Sequence, residues 1–238
     1  MIDFNIEKIV PLCAEFGLEL DETAINRLNL YGNLLLEWNE KINLTAITEP
    51  EDVLYKHFYD CLLFFKAVKV EKGAKIIDVG TGAGFPGLVL KIARPDIELT
   101  LLDGLNKRLV FLADVLDKTG LSAELVHSRA EEGGKSVKYR ERFDFACARA
   151  VANLPALSEY CIPFVKKGGY FVALKGASAS EEAAAAQNAY KILGCEKPTI
   201  ICETLTGNEQ RAFVISKKIS QTPTKYPRHG NKISKSAL

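Results

Sequence analysis

Apolar positions follow two different periods along the chain, and the change between them falls near residue 70. Before it, apolar residues recur every three or four positions, the spacing of amphipathic helices. This pattern predicts one helix over residues 3–17, a second over 21–39 and a third that starts at the capping-box sequence Thr48-x-x-Glu51. We expect residues 1–67 to form a small N-terminal helical cap.

From residue 75 onward, short β-branched runs alternate with helical patterns, an order that predicts a parallel sheet with crossover helices. The predicted strands cover residues 76–79, 97–102, 123–127, 143–148, 169–174, 199–205 and 212–219. The predicted helices between them cover residues 88–93, 106–119, 154–165 and 180–193. A hairpin-like connector, residues 206–209, joins the last two strands. The expected fold is α/β and Rossmann-like, with seven mostly parallel strands and an antiparallel last strand.

A glycine-rich turn follows the first predicted strand and opens the first crossover helix. Its sequence, Asp78-x-Gly80-x-Gly82-x-Gly84, matches the pattern of enzymes that bind S-adenosylmethionine (SAM). The overlapping Gly82-x-Gly84-x-x-Gly87 also matches the dinucleotide fingerprint, in which a helix N-terminus faces a pyrophosphate. The carboxylate of Asp78 favours SAM, because it would lie near the cationic groups of that cofactor rather than near phosphates. The terminal antiparallel hairpin also favours SAM, since dehydrogenases continue with parallel strands.

Charged residues stand at the ends of the next four predicted strands. Asp103 follows Gly84 by 19 residues, close to the interval of about 20 residues at which an acid reaches the ribose of a bound nucleoside. Glu131, Arg149 and Lys175 follow the third, fourth and fifth strands. Because ligands of open α/β sheets bind outside the carboxyl ends of the strands, we expect these four side chains to cluster around the ligand.

Composition agrees with an ordinary folded protein in a reducing compartment. The chain has 238 residues, of which 47% are hydrophobic and 26% charged, and a net charge of +1. Its six cysteines form no C-x-x-C pair, which indicates reduced, structural thiols. The N-terminus lacks the basic start and apolar core of a secretory signal, and no apolar run reaches about 18 residues. We therefore expect a soluble, cytoplasmic protein.

Positive charge is concentrated at the C-terminus. Residues 210–238 contain seven basic residues and no acidic one. Lys225, Arg228 and Lys235 belong to this run, and Tyr226 adds an aromatic ring. This mixture favours contact with a nucleic acid over a merely solvated end. We predict three parts of the chain: the cap (1–67), a cofactor-binding domain (68–220) and a basic tail (221–238).

Eight short motifs, spread over nearly the whole chain, resemble those of one family. They are EWNEKINLT (37–45), KHFYD (56–60), DVGTGAGFPG (78–87), NKR (106–108), RAE (129–131), ARAV (148–151), ALKG (173–176) and KYPR (225–228). Together they resemble the RsmG family, also called GidB, of bacterial methyltransferases that modify N7 of a guanosine in small-subunit ribosomal RNA. The resemblance implies a class I SAM-dependent methyltransferase fold, with 16S rRNA or the small ribosomal subunit as partner and no metal. Nothing in the sequence demands an oligomer, so we expect a monomer.

The resemblance also assigns residues to the cofactor. It implies SAM binding by Gly80, Phe85, Asp103, Ala130, Glu131 and Arg149. The glycine-rich pattern adds Asp78, Gly82 and Gly84 to this set.

Methyl transfer to guanine N7 requires orientation rather than a general base, because N7 carries a lone pair and no proton. Arg149 and Lys175 are the expected catalytic residues, as cations at strand ends that hold the base through O6 or through a phosphate.

Five residues are predicted to contact the RNA substrate: Asn39, His57, Lys225, Arg228 and Lys235. A structural role is the alternative for Asn39 and His57, because asparagine often caps a turn and a histidine between apolar residues often packs in a core. After Arg228 the tail departs from the family pattern, and the departing residues are His229, Asn231, Ile233 and Ala237. We expect removal of residues 223–238 to weaken RNA binding and to leave SAM affinity intact.

Three other functions fit parts of the sequence. A small-molecule SAM methyltransferase would share the cofactor motif, and an NAD-dependent oxidoreductase would share the glycine fingerprint. A non-catalytic module that binds nucleic acid would keep SAM only as a ligand. Each alternative has its own test. A dispensable tail would favour the small-molecule methyltransferase, a co-purified nucleotide would identify the NAD-dependent enzyme, and methyl turnover would exclude the non-catalytic module.

Overall fold

The computed structural model describes residues 2–205 and 209–238. The strands are β1 (Lys75–Val79), β2 (Glu98–Asp103), β3 (Glu124–His127), β4 (Phe143–Arg149), β5 (Val165–Lys175), β6 (Thr199–Thr204) and β7 (Gln210–Lys217). They form one sheet in the order β3-β2-β1-β4-β5-β7-β6. The first five pair in parallel, and β7 runs antiparallel to both β5 and β6. The predicted α/β fold, with its antiparallel last strand, is confirmed.

Short helices surround the sheet. The α-helices are α1 (Val10–Ala14), α2 (Glu22–Asn39), α3 (Pro50–Asp52), α4 (Asp60–Leu62), α5 (Phe64–Ala67), α6 (Gly87–Ala93), α7 (Asn106–Thr119), α8 (Ala130–Gly133), α9 (Leu154–Cys161), α10 (Ala179–Ala185), α11 (Gln187–Leu193) and α12 (Gly230–Lys235). A 3₁₀ turn (Ile6–Ile9) precedes α1, a π-helical stretch (Val53–Tyr59) joins α3 to α4, and a second 3₁₀ turn (Ile162–Phe164) follows α9. Within the described ranges, no helix is long and apolar enough to cross a membrane.

The sheet separates two apolar cores. Successive residues of a strand point to opposite faces, and in β1 Ile76 belongs to one core while Ile77 belongs to the other. The first core contains the helical cap, α6 and α7, and the second contains α9, α10 and α11. The cap therefore shares its core with one face of the sheet, and the division of the chain at residues 67 and 68 stays a prediction.

The third helix does not begin at the predicted capping box. Its first turn starts at Pro50, with Glu49 as the N-cap residue and no side-chain hydrogen bond at the cap. A residue before proline is driven to an extended conformation, and Glu49 accordingly has a ψ of 130°. Because proline is favoured at the first helical position, the helix starts at Pro50 and the prediction that Thr48 caps it is wrong.

Proline also shortens the helix predicted over residues 154–165. Helix α9 ends at Cys161, and the 3₁₀ turn around Pro163 leads directly into β5. The helix predicted over residues 180–193 consists of α10 and α11, which meet at Ala186, and nothing in the structure explains this break. Of the predicted connector 206–209, residues 206–208 lie outside the described residues.

Candidate cofactor site and its junction with the cap

A cavity of about 600 Å³ opens at the carboxyl ends of β1, β2, β3 and β4. Gly80 lines it after β1, Asp103 at the end of β2, and Ala130 and Glu131 after β3. These four are predicted cofactor-binding residues, and the chain brings them together from three separate strand ends. A volume of this size is in the range of small-molecule sites.

The turn after β1 has a backbone that only glycine adopts readily. Gly80 has a φ of 71°, and a Cβ built on it would lie 2.8 Å from Cγ2 of Val151. Gly84 has a φ of 100°, and a Cβ there would lie 2.7 Å from the hydroxyl oxygen of Tyr31. Both positions combine a left-handed conformation with a close neighbour, so each needs glycine for two independent reasons. Gly82, between them, has a φ of 60°.

Asp78 holds this turn from inside the protein. Its Oδ2 accepts hydrogen bonds from the Thr81 hydroxyl at 2.7 Å and from the Gly87 amide at 2.9 Å. Its Oδ1 is buried and has no partner among the described residues. Burial raises the pKa of Asp78 to about 6, against the lowering effect of those two hydrogen bonds. The carboxylate therefore shapes the turn from behind, and Asp78 itself is not on the cavity wall.

Asp103 fastens β2 to the same turn. Its Oδ2 accepts a hydrogen bond from the Gly82 amide at 2.9 Å, and its Oδ1 accepts one from the Leu105 amide at 2.8 Å. Arg108 lies 3.3 Å from Oδ2. Each carboxylate oxygen can accept more than one hydrogen bond, so Asp103 can fix the turn and still receive a ribose hydroxyl.

Arg149 lies at the junction between the sheet and the cap rather than on the cavity wall. Its guanidinium donates to Asp60 Oδ2 at 2.9 Å, to the Lys56 carbonyl at 3.0 Å and to His57 Nδ1 at 3.0 Å. It also lies 4.7 Å from the ring centroid of Phe85. Arg149 therefore ties the end of β4 to the π-helical stretch and covers the glycine-rich turn.

His57 is a neutral member of this junction. Its ring stacks on Phe85 with centroids 4.4 Å apart. Burial, reinforced by the positive charge of Arg149, lowers the pKa of His57 to about 3. Because a guanidinium can only donate, Nδ1 of His57 accepts from Arg149 and Nε2 carries the proton. Nε2 then donates to the Thr45 hydroxyl oxygen at 2.8 Å.

Lys175 is held by a different partner. Its Nζ lies 2.7 Å from Glu182 Oε2 and donates to the Ala152 carbonyl, also at 2.7 Å. Of the four charged residues expected to cluster, the cavity brings together Asp103 and Glu131 but does not include Arg149 or Lys175. Acidic residues on α4 and α10 draw these two cations into ion pairs.

The predicted RNA contacts have different environments. Asn39 Oδ1 accepts from the amides of Leu44 and Thr45, so it caps the turn after α2. Lys225 is exposed and lies 5.3 Å from the ring centroid of Tyr226.

The other two basic residues of the tail differ from each other. Arg228 pairs with the fully buried carboxylate of Glu159, at 2.6 Å. Lys235 is exposed on α12.

Sequence reasoning missed several residues that shape the site. The hydroxyl of Tyr31 donates to the Ala83 carbonyl inside the glycine-rich turn, and Asp60 pairs with Arg149. Tyr31 belongs to an apolar helix face, and Asp60 interrupts an otherwise apolar helix, which was the one available signal for a buried ion pair. The tail residues on the cavity wall, His229, Gly230, Asn231 and Ser234, carry no charge that could have marked them as part of the site.

The seven-stranded order with an antiparallel β7, and a cavity beside the glycine-rich turn, define the fold of class I methyltransferases. Two solved methyltransferases share it. The precorrin-6y C5,15-methyltransferase of Geobacter metallireducens superposes with a TM-score of 0.53 at 14% identity, over 74% of this chain and 91% of that chain. The 16S rRNA (adenine(1408)-N(1))-methyltransferase of Catenulisporales acidiphilia gives a TM-score of 0.53 at 15% identity, over 66% and 88%. At these identities the likeness concerns the fold.

Sequence comparison goes further. Residues 24–213 match the profile of the GidB family, described as rRNA small subunit methyltransferase G. Ribosomal RNA small subunit methyltransferase G of Clostridium perfringens is 48% identical over 228 residues, 95% of each chain. Its counterpart in Alkaliphilus oremlandii is 49% identical over 224 residues, 93% of this chain and 94% of the relative. The chain belongs to the rRNA small subunit methyltransferase G family, as its motifs predicted.

Proposed function

We propose that this protein transfers a methyl group from SAM to N7 of one guanosine in 16S rRNA. The observation that carries the proposal is the family match across residues 24–213, which includes the glycine-rich turn and the strand ends around the cavity. The matched relatives are named for small-subunit ribosomal RNA. The protein then acts in the cytoplasm, where ribosomal subunits are assembled.

The residues around the cavity fit SAM. Asp103 stands where an acid receives ribose hydroxyls, and Gly80 leaves the backbone of the turn open to a ligand. The buried carboxylate of Asp78 lies behind the same turn, off the cavity wall, and favours a cationic cofactor through its charge rather than by contact. Glu131 and Ala130 line the same cavity and would supply further contacts to the cofactor. SAM supplies the electrophilic methyl group, and the protein supplies its orientation.

Arg149 and Lys175 are the proposed groups for the acceptor base. Three of the five N–H groups of Arg149 are used by Asp60, Lys56 and His57, which leaves others for O6 or a phosphate oxygen. Lys175 has a third donor beyond Glu182 and Ala152. No proton has to leave N7, so these cations orient the base and need not titrate.

RNA binding would use the same edge of the molecule. Lys225 and Lys235 are exposed, and neither has an acidic partner among the described residues. Asn39 and His57 act indirectly, since they fix the turn and the π-helical stretch beside Phe85. Arg228 holds the tail on the domain through its ion pair with Glu159.

The test is transfer of labelled methyl from SAM to small ribosomal subunits from a strain that lacks this protein, with mapping of 7-methylguanosine. We expect label at one guanosine, and Asp103→Ala should reduce transfer about 10- to 100-fold, the effect of losing one or two hydrogen bonds to a charged group. Asp117→Ala, an exposed aspartate on α7, is the matched control and should transfer normally. Label in another nucleotide, or no label in RNA while SAM binds, would overturn the proposal.

A further inference from the structure

The C-terminal tail lines the cofactor cavity. His229, Gly230, Asn231 and Ser234 belong to its wall, together with the residues at the ends of β1, β2 and β3. These four come from α12 and the residue before it, a segment more than 90 residues away in sequence from Glu131. The tail therefore does more than carry positive charge on the surface.

A buried ion pair anchors this segment. Glu159, on α9, is fully buried, and its carboxylate accepts hydrogen bonds from the backbone amide of Arg228 at 2.7 Å and from the guanidinium at 2.6 Å and 2.9 Å. Nη2 of Arg228 also donates to the Ser236 carbonyl at 3.0 Å. One residue thus fixes both ends of α12 relative to the second core.

The chain before Arg228 is fastened as well. Arg140 donates to the carbonyls of Tyr226 at 2.8 Å and Thr222 at 2.7 Å. Ile233, in the middle of α12, is fully buried. These contacts place α12 on the domain surface in one position, so its contribution to the cavity wall is a fixed feature of the fold.

Gly230 places the tail against a second residue of the cavity wall, Glu131. A Cβ built on Gly230 would overlap Oε1 of Glu131. The tail backbone therefore lies directly against the carboxylate of a proposed cofactor-binding residue, and a side chain at position 230 would displace that carboxylate from its place. Any ligand that contacts Glu131 meets the tail on the same side.

We propose that residues 228–236 are a wall of the SAM site, and that SAM affinity depends on the contact between Gly230 and Glu131. This inference rests on the proposed function, which places SAM in the cavity. It replaces the expectation that removal of residues 223–238 leaves SAM affinity intact. Because binding couplings are reciprocal, SAM also stabilises the tail in its docked position.

Calorimetric titration of the full-length protein with SAM tests the inference. Gly230→Val should displace the Glu131 carboxylate or the tail, break the contact between them and weaken SAM binding at least about tenfold. A chain that ends at Arg228 keeps the anchoring ion pair with Glu159 and should show the same loss. Lys232→Ala lies on the same helix but not on the cavity wall, so it should bind SAM as the wild type does.

A second measurement distinguishes the loss of this contact from a general loss of folding. In the wild-type protein, hydrogen exchange of the α12 amides should slow when SAM is added, and Gly230→Val should abolish that protection while its melting temperature stays within a few degrees of the wild type. Unchanged SAM affinity in both altered proteins, or no protection of α12 by SAM, would overturn the inference and leave the proposed function standing. Failure of the wild-type protein to bind SAM would overturn both.

Discussion

At the scale of single residues, the junction between Arg149, His57 and Phe85 shows how burial selects a protonation state. A charged imidazole beside the Arg149 guanidinium would place two cations in contact away from water. Burial, and then the positive charge of Arg149, therefore lower the pKa of His57 from its usual 6.5 to about 3, and the ring is a neutral acceptor for Arg149. Burial likewise raises the pKa of Asp78 to about 6, because it disfavours the charged form of each group, the imidazolium of His57 and the carboxylate of Asp78.

The lowered pKa of His57 makes stability depend on pH in a defined direction. Between pH 6.5 and 3 the unfolded chain binds a proton at His57 that the folded chain does not, so the free energy of unfolding falls as pH falls through this window. From pH 7 to pH 5 this contribution amounts to about 2 kcal/mol. We expect His57→Gln, which cannot titrate, to lose about 2 kcal/mol less stability than the wild type over the same interval.

Urea unfolding at pH 7 and pH 5 measures the difference. Asp78 acts with the opposite sign, because its raised pKa adds stability as pH falls, but it is present in both proteins and cancels from the comparison. An equal loss of stability in the two proteins would mean that His57 is protonated in the folded state.

At the scale of elements, the strands and the bounds of α2, α6 and α7 could be predicted, because they depend on local periodicity. Helix α7 runs over the predicted residues 106–119 and ends at Gly120, whose φ is 65°. The partners of Arg149, Lys175 and Arg228 could not be predicted. Each partner is an acid on a helix, Asp60 on α4, Glu182 on α10 and Glu159 on α9, and only Glu182 is close in sequence to its cation. Periodicity places these acids on helices, but only the packing of helices on the sheet decides which cation each one meets.

The contact between α2 and the glycine-rich turn provides a test at the same scale. The Tyr31 hydroxyl donates to the Ala83 carbonyl, and the ring is fully buried next to Phe58 and Phe85. Tyr31→Phe keeps the packing but leaves a buried carbonyl without its donor, which costs about 1–3 kcal/mol. We expect the free energy of unfolding to decrease by this amount. We also expect weaker SAM binding, because the turn loses its support from the cap.

Chemical unfolding and SAM titration of Tyr31→Phe check both expectations. Tyr55→Phe is the matched control, since Tyr55 also lies in the cap and its hydroxyl makes no hydrogen bond among the described side chains. A stability loss in Tyr31→Phe without any change in SAM affinity would show that the cap supports the core but not the cofactor turn.

At the scale of the whole molecule, the tail has two faces with different roles. Gly230 and Ile233 face the domain, whereas Lys225, Lys232 and Lys235 are exposed. The net charge of +1 is too small for the protein as a whole to bind RNA by general attraction, so local charge has to supply the contact. The tail belongs to residues 210–238, the longest part of the chain that carries basic residues without any acid.

This division of roles predicts how salt affects RNA binding. Each lysine that neutralises a phosphate releases a counterion, so removing two such lysines should reduce the slope of log affinity against log salt by about 1.5. We expect the double variant Lys225→Ala/Lys235→Ala to show this reduction with small-subunit RNA, while its SAM affinity stays at the wild-type value. Lys72→Ala, an exposed lysine at the opposite end of the sheet, is the control and should keep the full slope. A slope unchanged in the double variant would place the RNA contact elsewhere on the molecule, and reduced SAM affinity would mean that the outer face of the tail also shapes the cavity.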